Sequence, residues 1–164
     1  MQKNVPGYDW SVSRKHNSNA TAAFTGSKDG NRSIELLLQP KFPAGDQGPN
    51  AGFQSISGMR EPDIVLTRTD SEVPKWYVLD AKYRTGRSNV LEAMASAHIY
   101  RDALRWNGRS SETSVLLVPR AGGAPWLEQP DFIGRNRVGV CALGADSDSQ
   151  HAIASLTAIL GFEL

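Results

Sequence analysis

Residues 60–84 constrain the fold more than any other stretch of the chain. They read Arg-Glu-Pro-Asp-Ile-Val-Leu-Thr-Arg, a short polar break, then Lys-Trp-Tyr-Val-Leu-Asp-Ala-Lys-Tyr-Arg. Two apolar runs flank Thr69–Pro74, which has turn composition and ends in proline, so the stretch reads as a β-hairpin. If the turn centres between Ser71 and Glu72, facing residues have numbers that sum to 143. Asp63 then faces Asp80, Val65 faces Val78 and Thr67 faces Trp76, all on one side of the ribbon. Lys82, two residues beyond Asp80, joins that side. The hairpin is thus expected to hold two carboxylates and one ammonium at its open end.

Two carboxylates placed opposite one another repel and add no stability. A divalent cation resolves the conflict, and Mg²⁺ is commonly held by one or two carboxylates together with water and phosphate oxygens. An ammonium beside a metal-bound water can orient it or lower its pKa. That is equipment for phosphodiester hydrolysis. From spacing alone the other reading stays open: Asp63 sits in an ordinary turn after Pro62, and Asp80 and Lys82 form a solvated ion pair.

Pro62-Asp63, sixteen residues, then Asp80-Ala81-Lys82 resembles the signature of the PD-(D/E)xK nuclease superfamily. The blocks at 60–66, 78–84 and 97–104 resemble more narrowly its DUF2357 branch, akin to the nuclease subunit of modification-dependent McrBC-type restriction systems. The likeness spans roughly residues 55–144. It implies a restriction-endonuclease-like α/β fold, a mixed central sheet with a catalytic β-hairpin and flanking helices. It also implies DNA as substrate and Mg²⁺ as cofactor, with Mn²⁺ as a substitute. On this reading Asp63 and Asp80 bind the metal, the carbonyl of Ala81 is a further ligand, and Lys82 acts on the attacking water. Relatives usually bring one more acid from an N-terminal helix. No such helix precedes the hairpin here, which leaves two alternatives. The helix belongs to a larger parent protein, of which this chain is the C-terminal part, or Glu35 supplies the acid from a strand.

At 164 residues the chain reads most simply as one domain, residues 1–32 a loop-rich N-terminal segment and 33–164 the core. Net charge is only +1, yet residues 82–109 hold six basic side chains against two acidic ones, a local face suited to phosphate. The single cysteine, Cys141, excludes an internal disulfide and a Cys-rich zinc site, and reads as a small buried hydrophobe. No run approaches the ~20 apolar residues of a membrane span, and the N-terminus lacks a signal peptide's apolar core, so the cytoplasm is the expected compartment.

Along the chain, short strands are expected near Tyr8–Val12 and Ala20–Thr25, and a strand at Ser33–Phe42 stopped by Pro40 and Pro43. Residues 43–57 read as a loop. A helix is expected from an Asn89 cap, with Glu92 in capping-box position, to about Trp106. Asn107-Gly108 is its stop signal. Val90, Ala93, Ala97, Tyr100 and Leu104 form its apolar stripe, and His98, Arg101 and Arg105 share another face. In the related nucleases this helix borders the site. The resemblance therefore makes Arg84, Arg87, His98, Tyr100, Arg101 and Arg105 candidates for nucleic-acid contact; by themselves they read equally as surface charges and a rim tyrosine. Ser114–Pro119 reads as a central strand reached by a crossover, residues 120–129 as a loop, Arg137–Leu143 as its neighbour strand, and a last helix starts at Asp148 or Ser149. No P-loop, zinc spacing, dinucleotide fingerprint or Gly-x-Ser-x-Gly elbow occurs. The leading expectation is a Mg²⁺-dependent DNA endonuclease in restriction, defence or DNA processing, with a further domain or subunit for specificity and a homodimer as possible assembly. The alternative is a catalytically silent nucleic-acid-binding or assembly module on the same fold.

Overall fold

The computed structural model describes residues 3–4, 11–28, 32–46, 52–69, 72–120, 122–144 and 149–161. The chain divides into two compact units, Met1–Tyr77 with Leu104–Ser111, and Val78–Ala103 with Glu112–Leu164.

The first unit is an antiparallel β-structure. Strands β1 (Lys3–Asn4), β2 (Ser11–Lys15), β3 (Ala22–Lys28) and β4 (Arg32–Leu38) follow one another as a meander. The N-terminal segment is therefore largely stranded among its described residues rather than loop. Polar composition hid this: Arg14 and Lys15 are exposed and Ser13, Gly26, Ser27 and Ser33 half-buried, while Ala23 and Thr25 are buried. The strand expected over 33–42 ends at Leu38: Gln39 turns into the left-handed region with φ 49°, and Pro40 has no N–H for a ladder. Two shorter pieces follow, β5 (Phe53–Ser55), inside the stretch expected to be loop, and β6 (Ile64–Arg68), antiparallel to β4 with Leu38 opposite Ile64 and Glu35 opposite Thr67.

Strand β7 (Lys75–Ala81) begins in the first unit and ends in the second. It is followed by helix α1 (Arg87–Ala103), strand β8 (Leu104–Trp106) and strand β9 (Thr113–Val118). After a 3₁₀ turn at Pro125–Glu128 come helix α2 (Pro130–Asn136), strand β10 (Val138–Ala142) and helix α3 (Ser149–Leu160). One mixed sheet runs in the order β1-β2-β3-β4-β6-β7-β9-β10, so β6 and β7 are neighbours as the hairpin reading requires. The turn residues Asp70 and Ser71 lie outside the described residues, as do Asp148 and most of the expected strand at 8–12.

Helix α1 starts two residues before the expected cap and stops three before the expected end. Asn89 lies inside it, its side chain donating to the carbonyl of Thr85 at 3.1 Å. Leu104 is drawn instead into β8, which pairs with β5. There it helps close an aromatic core in the first unit. Phe42 lies 4.8 Å from Phe53 and 5.8 Å from Trp76, and Phe53 stacks on Trp106 at 6.2 Å. The indole N–H of Trp76 donates to the carbonyl of Arg109. Asn107-Gly108 is thus no helix stop. It is a two-residue turn with φ of 50° and 78°, closed by reciprocal bonds between Trp106 and Arg109 of 2.9 and 3.0 Å, the mirror-image turn that Asn-Gly favours.

The second unit is a parallel pair, β9 and β10, carrying α1. Every residue of β9 is buried, as a strand covered on both faces requires. Val90, Met94 and Ala97 of α1 pack on Leu116, Val118, Val138 and Val140. The stripe holds Met94 in place of Tyr100, which is half-buried. In α3 Leu160 is buried and Ile153 is exposed. No helix among the described residues is long and apolar enough to cross a membrane.

Candidate active site

Asp80 is the last buried residue of β7. Every residue from Trp76 to Asp80 is buried, so the strand is covered on both faces there, and the Asp80 side chain is only 2% exposed. A carboxylate taken out of water costs several kcal/mol unless it is paired and hydrogen-bonded. Lys82 provides the pairing, with Nζ 2.7 Å from Oδ2 and a side chain one-third exposed. The Ser96 hydroxyl on α1 lies 3.4 Å from the same oxygen and 2.8 Å from the carbonyl of Ala93. The backbone N–H of Lys82 donates to the carbonyl of Leu117 on β9. The lysine is therefore fixed at its root by the sheet and at its tip by Asp80.

The chain leaves this position by a tight route. The Arg84 N–H donates to the carbonyl of Lys82, and Gly86, at φ 86°, packs against Gly122 of the loop after β9. A Cβ on Gly122 would stand 2.7 Å from the Gly86 nitrogen, so only glycine permits this approach. Arg84 and Arg87 are exposed. The Arg87 guanidinium lies 5.5 Å over the Trp126 ring, a cation–π contact.

The other sequence-derived candidates are placed less closely. Ala81 is exposed next to Asp80, and His98 is exposed on α1. Arg101 forms an ion pair with its neighbour Asp102, which neutralises its charge locally. Arg105 does not share their helix face, because it lies in β8 and donates to the carbonyl of Leu104. Asp63 stands half-buried just before β6, its carbonyl accepting from the Gln39 N–H at 2.8 Å. Glu35 is on β4 at the level of Thr67, four residues along β6 from Asp63, which is about 13 Å at the rise of a strand. The ladder that aligns β4 with β6 is what holds the two apart, so the structure does not bring Glu35 to Asp63. Among the described residues no group of three or more His, Cys, Asp and Glu side chains is gathered for a metal.

Three contributors escaped the sequence reading: Ser96, Trp126 and Gln39. Ser96 carried one faint signal, a lone hydroxyl between Ala95 and Ala97 on the helix after Asp-Ala-Lys. The other two act through contacts distant in sequence and gave none.

A mixed sheet flanked by helices, with a buried aspartate and an ion-paired lysine two residues on at a strand end, is a restriction-endonuclease-like α/β architecture. The sequence bears this out: residues 3–118 match the family model of the PD-(D/E)XK nuclease superfamily, and the chain belongs to that superfamily. No curated protein and no solved structure matches the chain.

Proposed function

We propose that the protein is a Mg²⁺-dependent DNA endonuclease, with Asp63, Asp80 and Lys82 as its catalytic residues. The observation that carries this reading is the 2.7 Å contact of the Lys82 ammonium with the buried Asp80 carboxylate in a chain of this superfamily. The carboxylates of Asp63 and Asp80 and the carbonyl of Ala81 would hold the ion. These are hard oxygen donors, few enough to leave places for water and phosphate, as Mg²⁺ prefers. The metal would supply a polarised phosphate and a more acidic water. Asp80 keeps Lys82 charged and aimed, Lys82 donates a hydrogen bond to the attacking water, and Arg84 and Arg87 offset charge that grows on the phosphate. The local wording of the 60–66, 78–84 and 97–104 blocks supports a role in restriction or defence like that of McrBC-type nuclease subunits. Specificity would come from a further domain or subunit, and two copies would serve double-strand cleavage.

Cleavage of supercoiled plasmid in Mg²⁺, in Mn²⁺ and in EDTA tests the proposal. Wild type nicks only with metal, and Asp80→Ala and Lys82→Ala each lower the rate at least about 100-fold, the scale expected when a group acting on the reacting atoms is lost. Metal-dependent cleavage that persists in both variants overturns the assignment. A second reading is favoured by one observation, the separation of Glu35 from Asp63 along the ladder: a silent DNA-binding module of the same fold. Calorimetry decides between them. The silent module binds DNA in EDTA and shows no Mg²⁺ or Mn²⁺ heat, and its DNA affinity does not fall in Asp63→Asn.

A further inference from the structure

The first unit carries a basic feature outside the Asp80–Lys82 cluster. Strands β2 and β3 are joined by a hairpin whose tip holds Arg14, Lys15 and His16, all exposed. From Ser11 to Lys28 the sequence contains no acidic residue. The tip is ordered by its own bonds: the Ala20 N–H donates to the Asn17 carbonyl, and the Asn19 N–H to the Asn17 side-chain oxygen at 2.9 Å. It is also braced against the segment after β4. The Lys41 N–H donates to the Asn19 carbonyl, and the Thr21 hydroxyl donates to Oε1 of Gln39. Exposed Lys41 is thereby brought beside the tip. A shallow cavity of about 390 Å³ lies there, lined by Arg14, Lys15, His16, Asn17 and Thr21.

The ladders place this tip relative to Asp63. Lys15 is opposite Ala23, Ala23 opposite Leu37 and Leu37 opposite Val65, two residues from Asp63 on the same side of β6. Gln39, which contacts both the tip and Asp63, lies between them. The basic tip and the candidate metal carboxylate therefore share one end of the sheet, three strand spacings or about 14 Å apart. One DNA strand advances 3.4 Å per nucleotide, so the gap corresponds to about four nucleotides of backbone.

We propose that the β2–β3 tip, with Arg14, Lys15 and Lys41, is a phosphate clamp that grips the DNA backbone about four nucleotides from the scissile bond. The clamp fixes register and orientation without reading bases. It deepens the nuclease reading and takes its position from Asp63, but its binding function does not depend on cleavage.

The test is equilibrium binding of a 20-base-pair duplex in EDTA, measured against salt, for wild type and the triple variant Arg14→Ala/Lys15→Ala/Lys41→Ala. Each lost phosphate contact removes about 0.9 from the slope of log affinity on log salt. The expected result is a slope shallower by about 2 to 3, with at least about 10-fold weaker binding at low salt. Lys15→Arg, which keeps the charge, retains the wild-type slope, and circular dichroism of the triple variant matches wild type. An unchanged slope and affinity in the folded triple variant overturns the clamp. Weakened binding by the triple variant together with a wild type that never cuts in Mg²⁺ or Mn²⁺ keeps the clamp and sinks the nuclease reading instead.

Discussion

Single residues here answer to the space and charge around them. Gly122 has Gly86 backbone 2.7 Å from where its Cβ would be and a φ of 63°. Gly122→Ala should lower stability by about 1–3 kcal/mol through strain and backbone displacement, measured by denaturant unfolding. In the proposed nuclease it should also slow cleavage, because the loop leaving Lys82 moves. Cys141 shows the electrostatic side. Burial, and then the charge of Glu128, push its thiol from 9.0 up to about 11. The folded protein keeps the thiol neutral where the unfolded chain has begun to lose its proton. That contribution to stability is complete below pH 9 and is lost as pH rises toward 11. The stability difference between wild type and Cys141→Ala should therefore shrink across that window, and the native thiol should resist alkylation at pH 8 until the protein is unfolded. The placement of Asp80 and Lys82 at one strand end was legible because their spacing is a strand pattern. Ser96 was not, since its meeting with Asp80 depends on how closely an alanine-rich stretch lets α1 approach β7.

At the level of elements, continuous apolar runs located β7, β9 and β10, and helical spacing of apolar residues located α1 and α3. It failed where a short strand takes over from a helix. Nothing within 101–109 says that Leu104 leaves the helix; the reason is β5, some fifty residues earlier, whose Ser55 pairs with it. The Asn-Gly pair then closes a hairpin turn that local reading assigned to a helix end, both being places where φ is positive. Gly108→Ala and Asn107→Ala should each cost about 1 kcal/mol or more. Asn107→Ala has the added loss of the bond from the Gly52 N–H to its side chain, 2.8 Å long. Thermal unfolding of both variants against wild type checks this; no shift in either would remove the turn from the account of stability. The β1–β4 meander was under-read for another reason. About half its strand positions are polar, exposed Arg14 and Lys15 and buried Thr25 among them, and alternation with small residues such as Ala23 and Gly26 gives little contrast.

Across the whole molecule the chain passes from the first unit to the second after Tyr77, returns at Leu104 and leaves again after Ser111. The first unit therefore borrows β8 from beyond α1, and with it the Trp106 ring that completes the aromatic core and the Arg109 carbonyl that satisfies Trp76. A fragment of residues 1–77 should not hold a fixed structure. Residues 1–111 contain every part of that unit and should retain its β-sheet signal and cooperative melting, by circular dichroism. Equal protection of both fragments from protease would count against this interleaving as a source of stability. During synthesis the ribosome releases the chain in one direction, so the aromatic core waits for Trp106 while Asp80, Lys82 and all of α1 are already outside the exit tunnel. The segment bearing Asp80 and Lys82 emerges before either unit has all its parts, and β9 and β10, on which α1 packs, come later still. The strands that hold the Asp80–Lys82 cluster in place are thus delivered after the residues of the cluster themselves.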